Sequence, residues 1–163
     1  MRVFLRTTIG WMLVALVGDT LVAPAISIAG IAPDFTVIAL VILALAEGSY
    51  AGCVGGFVIG LVQDLANPEF LGLLALCKTG LGFTVGRLRG HLLYGIPVVE
   101  GVVVALAVMV HDTLYELVRT QMSSEAFLPA FLFRVLPISL YSGLVGIPLL
   151  RVADLVGILR RED

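Results

Sequence analysis

Six apolar runs, separated by short polar or turn-forming connections, divide the chain. They cover residues 9–29, 35–46, 49–66, 70–86, 96–119 and 127–150. Most of them approach or exceed the roughly 20 residues that a helix needs to cross a bilayer, whereas the run 35–46 is long enough for only part of that depth. The pattern predicts an all-α integral membrane protein with six transmembrane helices, one of them short, in a single transmembrane domain over residues 1–163.

The first run has a second interpretation. Arg2 and Arg6 precede it, and Ala23-Pro24-Ala25 near its end is similar to a signal-peptide cleavage site. We favour a retained first span, because the chain that follows is itself apolar enough to be embedded in a membrane.

The composition supports a membrane protein. Hydrophobic residues make up 60% of the chain and charged residues 13%, with a mean hydropathy of +1.09, which is far from the usual range of soluble domains. The apolar runs leave no room for a separate soluble catalytic domain. Cys53 and Cys77 both lie inside apolar runs, without a second thiol or a histidine at ligand spacing, so neither a zinc site nor a disulfide is expected.

Basic residues in the connections are distributed very unequally. If the N-terminus is inside, the cytoplasmic side holds Arg2, Arg6, Arg87, Arg89, Arg151, Arg160 and Arg161. Arg119 is then the basic residue of an outer connection. Because cytoplasmic connections are enriched in Lys and Arg, this distribution favours six crossings with both termini in the cytoplasm.

Two rows of small residues recur at intervals of four. Gly48, Gly52, Gly56 and Gly60 form the first row, which Asp64 closes, and Lys78, Gly82, Gly86 and Gly90 form the second. In a helix this spacing makes one ridge, and glycines in membrane helices allow neighbouring backbones to approach closely. The ridges predict either an internal packing seam or a surface for a partner. The residues assigned to this interface are Gly48, Gly52, Gly56, Phe57, Gly60, Gly82 and Gly86.

Several charged residues fall inside the apolar runs, at comparable depths from the outer face. Asp19, Lys78, Asp112 and Arg134 each lie about 12 to 15 Å deep at 1.5 Å per residue, and Asp64 and Glu116 lie nearer the surface. We expect Asp64 within reach of the Lys78 ammonium. Asp112 and Glu116 require cations, which Arg134 and Arg119 could supply, and we expect Asp112 to pair with Arg134.

Three interpretations of this polar layer remain open. The residues could be internal ion pairs that fix the helix register, a pocket that holds a ligand or a partner segment, or part of an ion or proton pathway that includes His111. The sequence shows no Ser-His-Asp arrangement, metal-ligand spacing or phosphate-binding loop, so neither an enzyme nor a cofactor is expected. The absence of a long basic patch argues against nucleic acid as a partner.

The motifs of the first half resemble those of a known family. Pro33-Asp34-Phe35 is followed by Gly48, Gly52 and the motif Gly56-Phe57-x-x-Gly60-Leu61-x-x-Asp64, and then by Leu71-Gly72, Lys78, Gly82 and Gly86. This combination resembles the bacterial rod shape-determining protein MreD family. The specific part covers residues 33–86, and the later half is similar in hydropathy and length.

The resemblance implies a noncatalytic inner-membrane component of the cell-elongation machinery. Its expected partner is the bitopic membrane protein MreC and, through it, MreB, RodA and penicillin-binding protein 2, with membrane lipid around it. The family fold is similar to that of the substrate-binding subunits of energy-coupling-factor vitamin transporters, which supplies the alternative function. Those subunits usually carry an Ala-x-x-x-Ala pattern in the first helix, and residues 9–23 contain none, which argues against transport.

Overall fold

The computed structural model describes residues 10, 13–28, 30–66, 70–91, 96–122 and 126–159. Within them the chain forms six helices, which are α1 Leu13–Ala25, α2 Phe35–Glu47, α3 Ser49–Ala66, α4 Leu73–Leu88, α5 Pro97–Met122 and α6 Phe127–Leu155. Three of them, α3, α5 and α6, are long and apolar enough to cross a membrane. The described residues contain no named β-strand, and the prediction of an all-helical chain is confirmed. Arg2, Arg6, Arg160 and Arg161 lie outside the described residues.

The short helix α2 forms the centre of the bundle. Residues 36–45 are all buried, and they share one apolar core with residues of α4, α5 and α6. A helix enclosed by its neighbours has no lipid-facing side, which explains why this run is apolar all round. Asp34 caps the start of this helix, because its side chain accepts a hydrogen bond from the Val37 N–H at 2.8 Å. It ends at Gly48, whose φ of +90° favours glycine.

Helices α3 and α4 pack backbone against backbone, and their two glycine ridges face each other. A Cβ added to Gly52 would overlap the Gly82 carbonyl, and one added to Gly56 would overlap the Lys78 carbonyl. A Cβ on Gly60 would likewise meet the Ala75 backbone. Gly52, Gly56, Gly60 and Gly82 are therefore buried in the contact between the two helices, whereas Gly90 at the end of the second ridge has nothing within 4 Å of an added Cβ.

The ends of this contact differ from its middle. A Cβ added to Gly86 would meet the Ser49 backbone, whereas one added to Gly48 would meet the Arg89 guanidinium at 3.2 Å. Phe57, which the sequence assigned to the same interface, is 50% exposed. The outer side of α3 is thus available to lipid or to another protein.

A second close helix pair, α5 and α6, also depends on small residues. A Cβ added to Gly143 would lie 2.8 Å from both the Gly101 carbonyl oxygen and the Ala105 Cβ. Gly146 is similarly tight against the Val104 side chain, with a nearest distance of 2.8 Å. These glycines are not part of a regular row, and the sequence pattern did not single them out.

Large apolar side chains cover much of the exterior of the bundle. Examples on five helices are Leu21, Tyr50, Leu76, Val98 and Leu144, all more than two-thirds exposed. In water, contiguous apolar surface of this kind is unfavourable and marks an interaction site. It is the surface expected of a helix bundle in contact with hydrocarbon.

Candidate functional site

A polar cavity of about 230 Å³ lies at the end of the bundle where α2 begins. Its lining includes the residues Asp34, Lys78, His111, Asp112, Glu116 and Arg134. Lys78, Asp112, Glu116 and Arg134 were predicted from the sequence, and the structure brings these four together. The cavity is bounded by the start of α2, by α4 and α5, and by a π-helical segment of α6, Phe131–Val135, that carries Arg134.

Lys78 is the central cation of this region, and it is only 1% exposed. Its Nζ donates to Thr36 Oγ1 at 2.5 Å and lies 3.7 Å from Asp34 Oδ2. The expectation that Lys78 would meet Asp64 is therefore wrong. The Lys78 side chain extends from α4 toward the start of α2, where the capping carboxylate provides a counter-charge.

Asp64 has a different role, because it caps the start of α4. Its carboxylate accepts hydrogen bonds from the backbone N–H groups of Gly72, Leu74 and Ala75 at 3.0, 3.1 and 2.9 Å. The first N–H groups of a helix have no partner within the helix, and in a membrane each unsatisfied group costs several kcal/mol. The last residue of the first ridge thus completes the α3–α4 hairpin rather than a pocket.

Glu116 is the carboxylate that binds Arg134. It is 4% exposed, and its two oxygens contact Arg119 Nε at 2.8 Å and Arg134 Nη1 at 3.1 Å. Asp112 instead contacts His111 Nδ1 at 2.8 Å. The predicted Asp112–Arg134 pair is therefore wrong. The predicted partner of Arg134 differs from the observed one by one helical turn of α5, because Glu116 lies four residues after Asp112.

Asp19 joins the polar region through an amide. Gln63 Nε2 donates to Asp19 Oδ2 at 3.1 Å and approaches Thr36 Oγ1 at 3.4 Å. Thr36 also donates to Asp34 Oδ1 at 2.6 Å. The network therefore extends from α1 through α2 and α3 to α4.

Sequence reasoning assigned no site role to Asp34, Thr36 or Gln63, and it treated His111 only as an optional member of a pathway. Asp34 entered the sequence analysis only through the motif Pro33-Asp34-Phe35, and neither Thr36 nor Gln63 was singled out. Each was unremarkable in its own run. Their shared position appears only when four helices are assembled around α2.

A second cavity lies outside the polar cluster, between α4 and α5. It has a volume of about 660 Å³ and an almost entirely apolar lining that includes Leu76, Gly80, Leu81, Leu106, Val110 and Leu114. Gly80 is open, since a Cβ added there would meet nothing within 4 Å. His111 lines this groove as well as the polar cavity, so one side chain borders both.

The architecture defines the class of protein. A helical bundle with an apolar exterior, three helices of membrane-crossing length and ion pairs inside the bundle is an α-helical membrane protein.

The family follows from a comparison with family models. The model of the rod shape-determining protein MreD matches residues 1–152, and the chain therefore belongs to the MreD family, with a role in rod shape determination. Comparisons with curated proteins and with solved structures gave no significant match. The expected similarity to energy-coupling-factor substrate-binding subunits stays a prediction.

Proposed function

We propose that this chain is a noncatalytic scaffold of the cell-elongation machinery in the bacterial inner membrane, and that it binds MreC. Through MreC it would be linked to MreB, RodA and penicillin-binding protein 2 and would support peptidoglycan synthesis. Membership in the MreD family supports this function. The contacts inside the bundle agree with it, because they are helix caps and ion pairs that hold helices in register.

The observation that carries the proposal is the apolar groove between α4 and α5. Since the glycine ridges of α3 and α4 are buried against each other, they are not the docking surface for a partner helix. The groove follows α4, whose 16 residues span about 24 Å at 1.5 Å per residue. Open Gly80 on its wall allows a close backbone approach, which is what drives helix association in lipid. We assign the groove to the single transmembrane helix of MreC.

A substitution that fills the groove is expected to weaken MreC binding and to leave folding of the chain unchanged. Gly80→Leu places a bulky side chain where MreC would approach, at a position where an added Cβ meets nothing within 4 Å. The variant should accumulate normally, while MreC recovered with it in mild detergent should fall by about tenfold or more, as expected when close van der Waals packing is lost. Rod-shaped host cells that depend on this variant should become rounded.

The matched control is Leu144→Trp, which adds bulk to an exposed position on α6 away from the groove. It should retain both MreC and rod shape. Full recovery of MreC with Gly80→Leu would exclude the groove as the docking site. Recovery of an energy-coupling module with a tightly held vitamin, in place of MreC, would contradict the scaffold function and favour the transporter subunit.

We further propose that the chain crosses the membrane six times and has both termini in the cytoplasm. The basic residues at the end of the bundle opposite the polar cavity support this orientation. Arg89 donates a hydrogen bond to the carbonyl of Ala46, near the end of α2, at 3.3 Å. Arg151 pairs with Glu100, near the start of α5, at 3.3 Å. In this orientation the polar cavity faces the outer side.

A reporter enzyme that is active only outside the cytoplasm tests this topology. Fused after Asp163 it should be inactive, and inserted at Ser123, between α5 and α6, it should be active. The opposite pattern at the two positions would contradict the orientation, and activity at both would contradict the number of crossings.

A further inference from the structure

Two segments that are far apart in the chain place three metal-ligating side chains together in the polar cavity. Asp34 precedes α2, whereas His111 and Asp112 are neighbours on α5, and one ligand atom of each lies within 4.8 Å of those of the other two. We propose that Asp34, His111 and Asp112 bind one divalent transition-metal ion, for which Zn²⁺ is the best match. The three contribute one imidazole nitrogen and two carboxylate oxygens, a ligand set that Zn²⁺ accepts.

The first support is that the buried Nε2 of His111 has no hydrogen-bond partner among the described residues. The side chain is 3% exposed. Its Nδ1 lies 2.8 Å from Asp112 Oδ1. If Nδ1 carries the proton, Nε2 is a buried lone pair without a donor. If Nε2 carries it, Nδ1 and an ionised Asp112 carboxylate are two acceptors in contact, and Nε2 is a buried donor without an acceptor among the described residues.

A cation resolves this conflict when Nδ1 carries the proton, because the Nε2 lone pair is then free to ligate a metal ion. If Nε2 is the ligand, Asp112 accepts the Nδ1–H and orients the ring, as carboxylates commonly do for metal-bound histidine.

The second support is the charge balance of the buried network. The carboxylates of Asp34 and Asp112 line the cavity beside the Lys78 ammonium, and Asp19 joins the same network through Gln63. Glu116 is compensated separately by Arg119 and Arg134. With Glu116 and its two arginines included, four carboxylates face three side-chain cations, a formal excess of one negative charge that attracts a further cation. Buried uncompensated charge is costly, so the network favours such an ion.

The third support is that Asp34 retains a free ligand atom. Its Oδ1 accepts hydrogen bonds from Thr36 at 2.6 Å and from Val37 N–H at 2.8 Å. Its Oδ2 lies 3.7 Å from the Lys78 ammonium, which is longer than a hydrogen bond. The carboxylate is thus fixed by Oδ1, whereas Oδ2 faces the Lys78 ammonium without a hydrogen bond among the described residues. At about 230 Å³, the cavity also has room for water at the remaining metal positions.

Metal binding by the purified full-length chain tests the proposal. The protein, prepared with an affinity tag that lacks histidine and stripped with a chelator, is titrated with Zn²⁺ in competition with a chromophoric chelator. We expect about one tightly bound ion per chain. His111→Gln or Asp112→Asn should weaken binding by at least about tenfold, since loss of even an outer-shell partner costs 10- to 100-fold in affinity. The control is His91→Gln, which removes the other histidine of the sequence and should bind Zn²⁺ like the parent chain.

A second measurement leaves the cavity residues unchanged, so it does not require a cavity variant to fold. In the His91→Gln background, His111 is the remaining histidine, so Cu²⁺ bound to that chain should show the nitrogen modulation of one imidazole in pulsed electron paramagnetic resonance. Absence of bound Zn²⁺ in the parent chain, or of the nitrogen signal, would overturn the site. Equal Zn²⁺ affinity in His111→Gln would also overturn it and leave a proton as the compensating charge.

Discussion

Gly56→Leu and Gly60→Leu are each expected to abolish accumulation of the protein in the membrane. At both positions a Cβ alone would overlap the backbone of α4, and backbone cannot move aside as a side chain can. A leucine would force α3 and α4 apart over the whole ridge and remove the van der Waals contact that holds them together in lipid. Quantitative immunoblots of membrane fractions measure the amount of protein that accumulates. This amount should fall by more than about tenfold if the substitution lowers the stability by more than about 1.4 kcal/mol.

The same substitution at Gly80 is the matched control for this prediction. Gly80 lies on α4 as well, but its missing Cβ faces open space, so Gly80→Leu tests leucine in this helix without the overlap. It should accumulate like the parent chain. Normal levels of Gly56→Leu and Gly60→Leu would show that α3 and α4 do not pack through their glycines.

Lys78→Met is expected to be the most destabilising substitution in the polar cavity. Methionine has a similar length and keeps the packing, but it leaves the Asp34 carboxylate without its cation and removes the donor to Thr36. Loss of one partner from a buried ion pair costs about 3 to 5 kcal/mol. The thermal midpoint of the detergent-solubilised protein should fall clearly, measured with a chelator present so that no metal ion replaces the ammonium.

A second substitution should restore part of this loss. Asp34→Asn removes the unpaired charge and keeps an efficient N-cap for α2, because asparagine caps helices about as well as aspartate. The double variant Lys78→Met with Asp34→Asn should therefore be more stable than Lys78→Met alone. If the two effects simply add, the two side chains do not interact in the membrane.

The helices of this protein could be predicted from its sequence because each depends on features within one run. The apolar runs predicted the six helices, and Asp34, immediately before the run 35–46, is of a residue type that caps helices. The short run 35–46 was predicted to cover part of the membrane depth. Its burial on all sides depends on the other helices and could not be derived from its own residues.

The pairings between helices were not predictable in the same way. The sequence placed Lys78, Asp112 and Arg134 at a common depth, but depth does not give the rotation of a helix about its axis. One turn of α5 decides whether Asp112 or Glu116 meets Arg134, and the direction of the Lys78 side chain decides between Asp64 and Asp34. Four-residue spacing likewise identified both glycine ridges without showing that they pack against each other.

The enclosure of α2 has a consequence for biosynthesis. This helix is the second to be made, yet its core neighbours include Val104 and Val108 of α5 and Leu150 of α6. Even the N–H of Asp34 is satisfied by the Ser142 hydroxyl, 108 residues later, at 2.9 Å. During translation α2, which is too short to span the bilayer, therefore lacks part of its enclosing neighbours until α6 has been made. Chains truncated before α6 lack this enclosure and should be substrates for membrane proteases rather than stable intermediates.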